Sequence, residues 1–168
     1  METKKICGKW YFSVLIPLIV ILISACGSSA SNQSSTPDDP VQASLIDAGI
    51  KDATITSKDD YIEISYTLKD TPYDYTDYVS KGLSHYVKTA KGIFEKTDYT
   101  TLRMDMMVDG SAATSLIMTK DNFNSIDWSS IAYTEGIYNK IQGNFQKFYV
   151  ESMLMKGVDT DKIMYKGN

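Results

Sequence analysis

Cysteine, histidine and arginine are nearly missing from this chain of 168 residues, which carries two cysteines and one histidine. Both cysteines, Cys7 and Cys26, stand near the N-terminus, so the rest of the chain can form no disulfide framework and no zinc site of the usual Cys/His type. His85 is alone, and neither a Gly-x-Ser-x-Gly elbow nor a usable cysteine accompanies it, which removes nucleophilic catalysis of the triad or dyad kind. Helical spacing places it with Lys81 and Lys88 on a charged face, and we expect a solvated histidine there. Hard cations have little to hold them. Asp70, Asp74 and Asp77 gather where a helix should begin and complement its dipole, while Asp159-Thr160-Asp161 lacks the glycine and closing glutamate of a calcium loop. The sequence therefore implies no metal and no cofactor.

Long apolar runs are also scarce. The run from Trp10 to Ile23 follows Lys4, Lys5 and Lys9 and ends in small residues, the three-part pattern of a secretory leader. It is too short to be a comfortable permanent span, which needs roughly 20 apolar residues, and polar Ser-rich sequence follows it. Its end, Ile23-Ser24-Ala25-Cys26, resembles the lipobox of bacterial lipoproteins. The resemblance covers the leader alone. It implies diacylglycerol on the thiol of Cys26, cleavage between Ala25 and Cys26, acylation of the new amino terminus, and a mature protein anchored on the extracytoplasmic face of the cell membrane. Lysine in place of arginine, with abundant Tyr, Asn and Ile, suits an AT-rich genome, and with the lipobox it suggests a low-GC Gram-positive host.

Loss of residues 1–25 would leave 20 acidic and 14 basic side chains, a formal charge of −6. An acidic domain of this kind is a poor partner for nucleic acid and for an anionic leaflet. Attachment to the membrane then rests on acyl chains, each buried methylene contributing about 0.8 kcal/mol and two or three chains holding durably.

Residues 26–40 carry the lipidated cysteine and then Gly, Ser, Asn, Thr, Asp and Pro without a large apolar side chain, which reads as a flexible tether. Residues 41–168 should form one domain. A short helical turn over Val41–Asp47 ends at Gly49. Thr54-Ile55-Thr56 leads through Ser57-Lys58-Asp59-Asp60 into the alternating strand Tyr61–Leu68, a hairpin, and after the breaker Lys69-Asp70-Thr71-Pro72 apolar residues recur at helical steps from Tyr75 to Phe94. Gly82 lies on that apolar stripe, as a close approach of helix to sheet would require. Thr101–Val108 and Ala113–Thr119 flank Asp109-Gly110, a type I′ hairpin signal. Lys120–Trp128 reads as a linker anchored by Phe123, Ile126 and Trp128, and Ser130–Met155 as a final helix with Ile137, Ile141, Phe145 and Phe148 inward. The order ββαββα predicts an α+β two-layer sandwich, a four-stranded antiparallel sheet with two helices on one face.

If Ile62, Met104 and Leu116 face the helices, then Tyr61, Glu63, Arg103, Asp105, Met107, Ser115 and Ile117 face away. Tyr61, Met107 and Ile117 are candidates for an apolar patch meeting a protein or cell-wall partner. Tyr73, Tyr75 and Tyr78 near the loop are candidates too, since a tyrosine offers a broad apolar ring and a hydroxyl. The function that asks least of these residues is a non-enzymatic binding or interaction module. An alternative is a small-molecule or ion-binding accessory lipoprotein of a transporter, which would need a deep pocket. A wall hydrolase would need a carboxylate pair across a groove, and Glu63, Glu95, Glu135 and Glu151 lie on different elements.

Overall fold

The computed structural model describes residues 39–69 and 74–167. The expected leader, the Ala25–Cys26 cleavage and lipidation site, nearly all of the tether, and Tyr73 lie outside the described residues. In chain order the elements are α1 (Pro40–Asp47), β1 (Ala53–Lys58), β2 (Tyr61–Thr67), α2 (Tyr75–Lys96), β3 (Thr101–Val108), β4 (Ser111–Thr119), α3 (Lys120–Asn124), α4 (Trp128–Ile131) and α5 (Ile137–Ile141). A 3-10 turn (Gln142–Asn144), β5 (Lys147–Val150) and α6 (Ser152–Met155) follow. The class is α+β.

Local chemistry accounts for most of these boundaries. The carboxylate of Asp39 accepts a 2.9 Å hydrogen bond from the Val41 amide and Pro40 opens the helix, so α1 starts on a capped and pre-bent turn. Asp74 caps α2 in the same way, accepting from the Asp77 amide at 3.0 Å. Along β2, Ile62, Ile64 and Tyr66 are buried and alternate with half-buried neighbours. The β3–β4 turn puts Asp109 at φ +49° and Gly110 at φ +79°, both positive as a type I′ turn requires.

Helix α2 runs across the sheet on the face that holds Ile62, Met104, Leu116 and Met118. A Cβ on Gly82 would stand 3.0 Å from the Thr114 hydroxyl and 3.6 Å from the end of Met106, so the helix approaches the sheet closely where glycine was expected to allow it. Gly92 does the same where α2 meets α1: a Cβ there would overlap the Ser44 hydroxyl and lie 2.8 Å from the Ser44 Cβ, so the glycine lets α1 lie directly on α2. Leu83, Tyr86, Ala90 and Ile93 of α2 are completely buried, along with Ile62, Ile64, Leu102, Ile137 and Ile163. Fully burying a side chain of this size contributes about 1.5–3 kcal/mol, and that stripe is what fixes the helix to the sheet.

The expected four-stranded antiparallel sheet is corrected in two respects: the sheet has five strands in the order β1-β2-β3-β4-β5, and it is mixed. Strands β2 and β3 pair in parallel, Ile62 opposite Leu102 and Ile64 opposite Met104, while the other neighbours are antiparallel. The long helix α2 is the crossover that returns the chain to the starting end of β2, so the next strand must run in the same direction. The final helix over Ser130–Met155 is corrected as well. Tyr133 at φ +60° and Gly136 at φ +69° take the left-handed conformation, which no right-handed helix can pass through. The inward residues Phe145 and Phe148 matched a helical period, but Phe148 instead lies opposite Leu116 in the β4–β5 ladder, with Val150 opposite Thr114. Among the described residues only one long helix covers the sheet, and the linker expected at Lys120–Trp128 contains α3, capped by the Thr119 hydroxyl.

Candidate functional site

The outer face of the sheet is a grid set by the register. One row holds Thr56, Glu63, Arg103, Ile117 and Lys147, and the next Thr54, Ser65, Asp105, Ser115 and Tyr149. Tyr61, Met107 and Ile117 all belong to this face and all are half-buried, yet they do not join. Met107 is separated from Ile117 by the Asp105–Ser115 row, and Arg103 fills the middle. Its guanidinium grips Asp105 with two bonds, Nη2 to Oδ2 at 2.7 Å and Nε to Oδ1 at 3.1 Å, and reaches Glu63 Oε1 at 3.5 Å. The hydrogen bond donated to Asp105 is the chief reason its pKa rises above the ordinary arginine value. Asp105 is only 5% exposed, and the Ser115 hydroxyl opposite it is buried without a partner. The face thus presents an ion cluster flanked by separate apolar residues. The carboxylates of Glu63 and Asp105 are both engaged by that one cation.

The tyrosine cluster is also divided. Tyr78 is a core residue, whereas Tyr75, the first residue of α2, is 45% exposed with its ring against Gly157. His85 departs most from expectation. It is half-buried, its Nδ1 lies 3.0 Å from the Tyr66 hydroxyl, and the two rings are 5.4 Å apart. Burial first, then the charges of Lys81 and Lys88, press its pKa down to about 4. Tyr66 is inward on β2, so the helix face that carries His85 meets the end of that strand instead of facing open water. Burial raises the Tyr66 pKa well above the ordinary phenol value.

A broad concavity among the helices was not foreseen. A groove of about 810 Å³ runs between α1, α2, α3 and the C-terminal segment. Phe123, Trp128 and Tyr165 supply its aromatic lining, and its charged lining is mixed, Lys88, Lys91, Lys96 and Glu95 from α2 and Asp47 from α1. The aromatic wall is a ladder: Phe94 to Phe123 at 5.5 Å, Phe123 to Trp128 at 5.1 Å and Trp128 to Tyr165 at 5.7 Å between ring centres. Trp128 donates its indole N–H to the Phe123 carbonyl at 3.0 Å, which fixes its ring while one surface stays half-exposed. Burial raises the Tyr165 pKa. The signal available beforehand was the run Phe123, Ile126, Trp128, which marked anchoring residues, but nothing local joins it to Tyr165.

Among the described residues no cluster of His, Cys, Asp and Glu is arranged to hold a metal ion. Asp159 instead accepts from the Asp161 amide at 3.2 Å and pairs with Lys162 at 3.0 Å. No helix among them is long and apolar enough to cross a membrane. Set against known families, curated proteins and solved structures, the chain matches none.

Proposed function

We propose that this chain is an extracytoplasmic lipoprotein, cut between Ala25 and Cys26 and lipidated on Cys26, whose single domain is a non-enzymatic binding module acting through the helical groove. The leader and the Ile23-Ser24-Ala25-Cys26 motif support the anchoring half of this reading. The observation that carries the binding half is the groove itself: a fixed half-exposed indole beside buried aromatic rings, in a cleft that Lys88, Lys91 and Lys96 line together with the carboxylates of Asp47 and Glu95. Its chemistry suits a partner with a flat apolar face flanked by polar groups of both charges, on a protein or a cell-wall component. Direct partner binding through the outer sheet face is the weaker form of the idea, because Arg103 and its carboxylates interrupt the apolar residues.

The volume of about 810 Å³ favours one second reading, a small-molecule binder serving a transporter, since small-ligand sites commonly measure about 300–1,000 Å³. Photo-crosslinking on living cells separates the two. A photoreactive residue at Ser129, on the groove rim, should capture one dominant macromolecule, whereas the same residue at Ile117 should not, and Cys26→Ala should abolish capture and membrane retention together. Capture from Ile117 alone would move the site to the sheet. Absence of any adduct from either position would leave the small-molecule reading in first place.

A further inference from the structure

Among the described residues β1 has a neighbour on one side only, so it forms an open edge of the sheet. Its ladder with β2 runs from Ala53 opposite Tyr66 to Lys58 opposite Tyr61 without a shift of register, whereas the β3–β4 pair carries one between Met106 and Met107. Natural edges are commonly blunted by a bulge, a proline, an inward charge or shortness. The other edge, β5, has four residues and begins with Lys147. Strand β1 has six, Ala53-Thr54-Ile55-Thr56-Ser57-Lys58, and its one charge stands at the end.

The hydrogen bonds at the two ends of β2 fix which groups of β1 point outward. The Asp60 carbonyl accepts from the Thr101 amide at 3.2 Å and the Leu68 amide donates to the Met107 carbonyl at 3.1 Å, both toward β3. Backbone groups alternate sides along a strand, so Tyr61, Glu63 and Ser65 turn theirs to β1, where they meet Lys58, Thr56 and Thr54. The N–H and C=O groups of Ala53, Ile55 and Ser57 therefore point away from the sheet, and no described residue bonds them.

We propose that β1 pairs antiparallel with β1 of a second copy of this chain, about a two-fold axis at Ile55. Such an interface is self-complementary. Ala53 then stands opposite Ser57 of the other copy, Thr54 opposite Thr56 and Ile55 opposite its own counterpart, and about six outward hydrogen bonds close. Charge selects this register. Asp52 falls opposite Lys58 and Lys51 opposite Asp59, each pair occurring twice by symmetry. An axis at Thr54 would set Lys58 against Ile50, and one at Thr56 would set Asp52 against Asp60. Lys69 of the same chain holds Oδ2 of Asp52, but the carboxylate is 70% exposed and its other oxygen remains for Lys58. Ile55, half-buried on the face of Ile64, would be covered by its counterpart at the axis. The pairing stands independently of what the helical groove holds.

Sedimentation equilibrium of the full chain in density-matched detergent reads the state directly. The protein mass should rise from one chain toward two as the concentration approaches about 0.5 mM, the range of a small transient interface. Ser57→Pro removes an outward N–H without touching the β2 ladder, so the variant should stay a monomer with an unchanged urea midpoint. Lys58→Glu alone, or Asp52→Lys alone, sets like charges opposite each other and should weaken the dimer about ten-fold. An equimolar mixture of those two variants places opposite charges across the axis again and should recover the parent affinity, while Lys147→Glu on β5 should leave it unchanged. A mass of one chain at every concentration, a dimer that survives Ser57→Pro, or a mixture that associates no better than its components overturns the proposal. Should Ser57→Pro lower the urea midpoint, the mixture decides alone.

Discussion

At His85 the environment decides what composition cannot. A lone histidine between lysines on a helix reads as solvated, but His85 packs beside Tyr66, and its burial, with the charges of Lys81 and Lys88, holds the imidazole neutral. The consequence for stability has a definite sign. The folded pKa of about 4 lies below the ordinary value of 6.5, so between those limits the unfolded chain binds the proton more readily and folding weakens as pH falls. Stability conferred by a neutral His85 is complete above about pH 6.5 and lost by about pH 4, a change of at most about 3 kcal/mol. His85→Gln should remove this component: urea midpoints of the variant should fall less than those of the parent between pH 7 and pH 4.5. Equal slopes would show that His85 does not carry the acid sensitivity. Tyr66 on β2 and Lys81 and Lys88 on α2 are the groups that act on the imidazole, and only Lys81 and Lys88 could be placed beside it from helical spacing.

Among the elements, α2 shows how propensity and packing oppose each other. Glycine in a helix interior costs about 1 kcal/mol relative to alanine, so Gly92→Ala should stabilise on propensity alone. The new methyl would meet Ser44 of α1, and overpacking of this kind costs about 1–3 kcal/mol, so the net effect should be destabilising. Ser44→Gly in the same chain should restore much of the loss, which a double-mutant cycle by chemical denaturation would read directly. Most of this element was legible beforehand: the apolar spacing from Tyr75 to Phe94 marked its length and its buried stripe, and Gly82 its approach to the sheet. The C-terminal elements were not. Ile141, Phe145 and Phe148 satisfy a helical period by coincidence, and the left-handed residues Tyr133 and Gly136 that break the helix include a tyrosine, a residue that gives no warning of positive φ. Strand β5 is four residues long, too short for its period of two to stand out.

The whole molecule is a mixed sheet with one face under α2 and the other bearing the Arg103 cluster. The cluster rests on Asp105, which is nearly buried, while Arg103 and Glu63 are each about a third exposed. Arg103→Met should therefore cost about 3 kcal/mol, the lower end for a broken buried pair, by leaving Asp105 alone inside. Arg103→Met with Asp105→Leu should recover most of that loss, and Glu63→Gln should change the unfolding free energy by less than about 1 kcal/mol. A small effect from Arg103→Met would mean that water reaches Asp105 and that the sheet face is more open than its geometry indicates. The parity of the strands was enough to put Tyr61, Arg103, Asp105 and Ile117 on this face. Their separation by an ion cluster required the register of β2 against β3, which are joined only through the crossover.

Taken alone, the sequence determined what near neighbours decide: the hairpins through Ser57-Lys58-Asp59-Asp60 and at Asp109-Gly110, the amphipathic helix α2, and the two faces of each long strand. These follow from periods of two and 3.6 and from turn residues, which act over a few positions. Tertiary structure decided the parallel pairing of β2 with β3, the fifth strand, the His85–Tyr66 pair and the groove in which Tyr165 meets Trp128. Each of those joins residues far apart in the chain, and packing and loop closure select such contacts without leaving a local pattern to read.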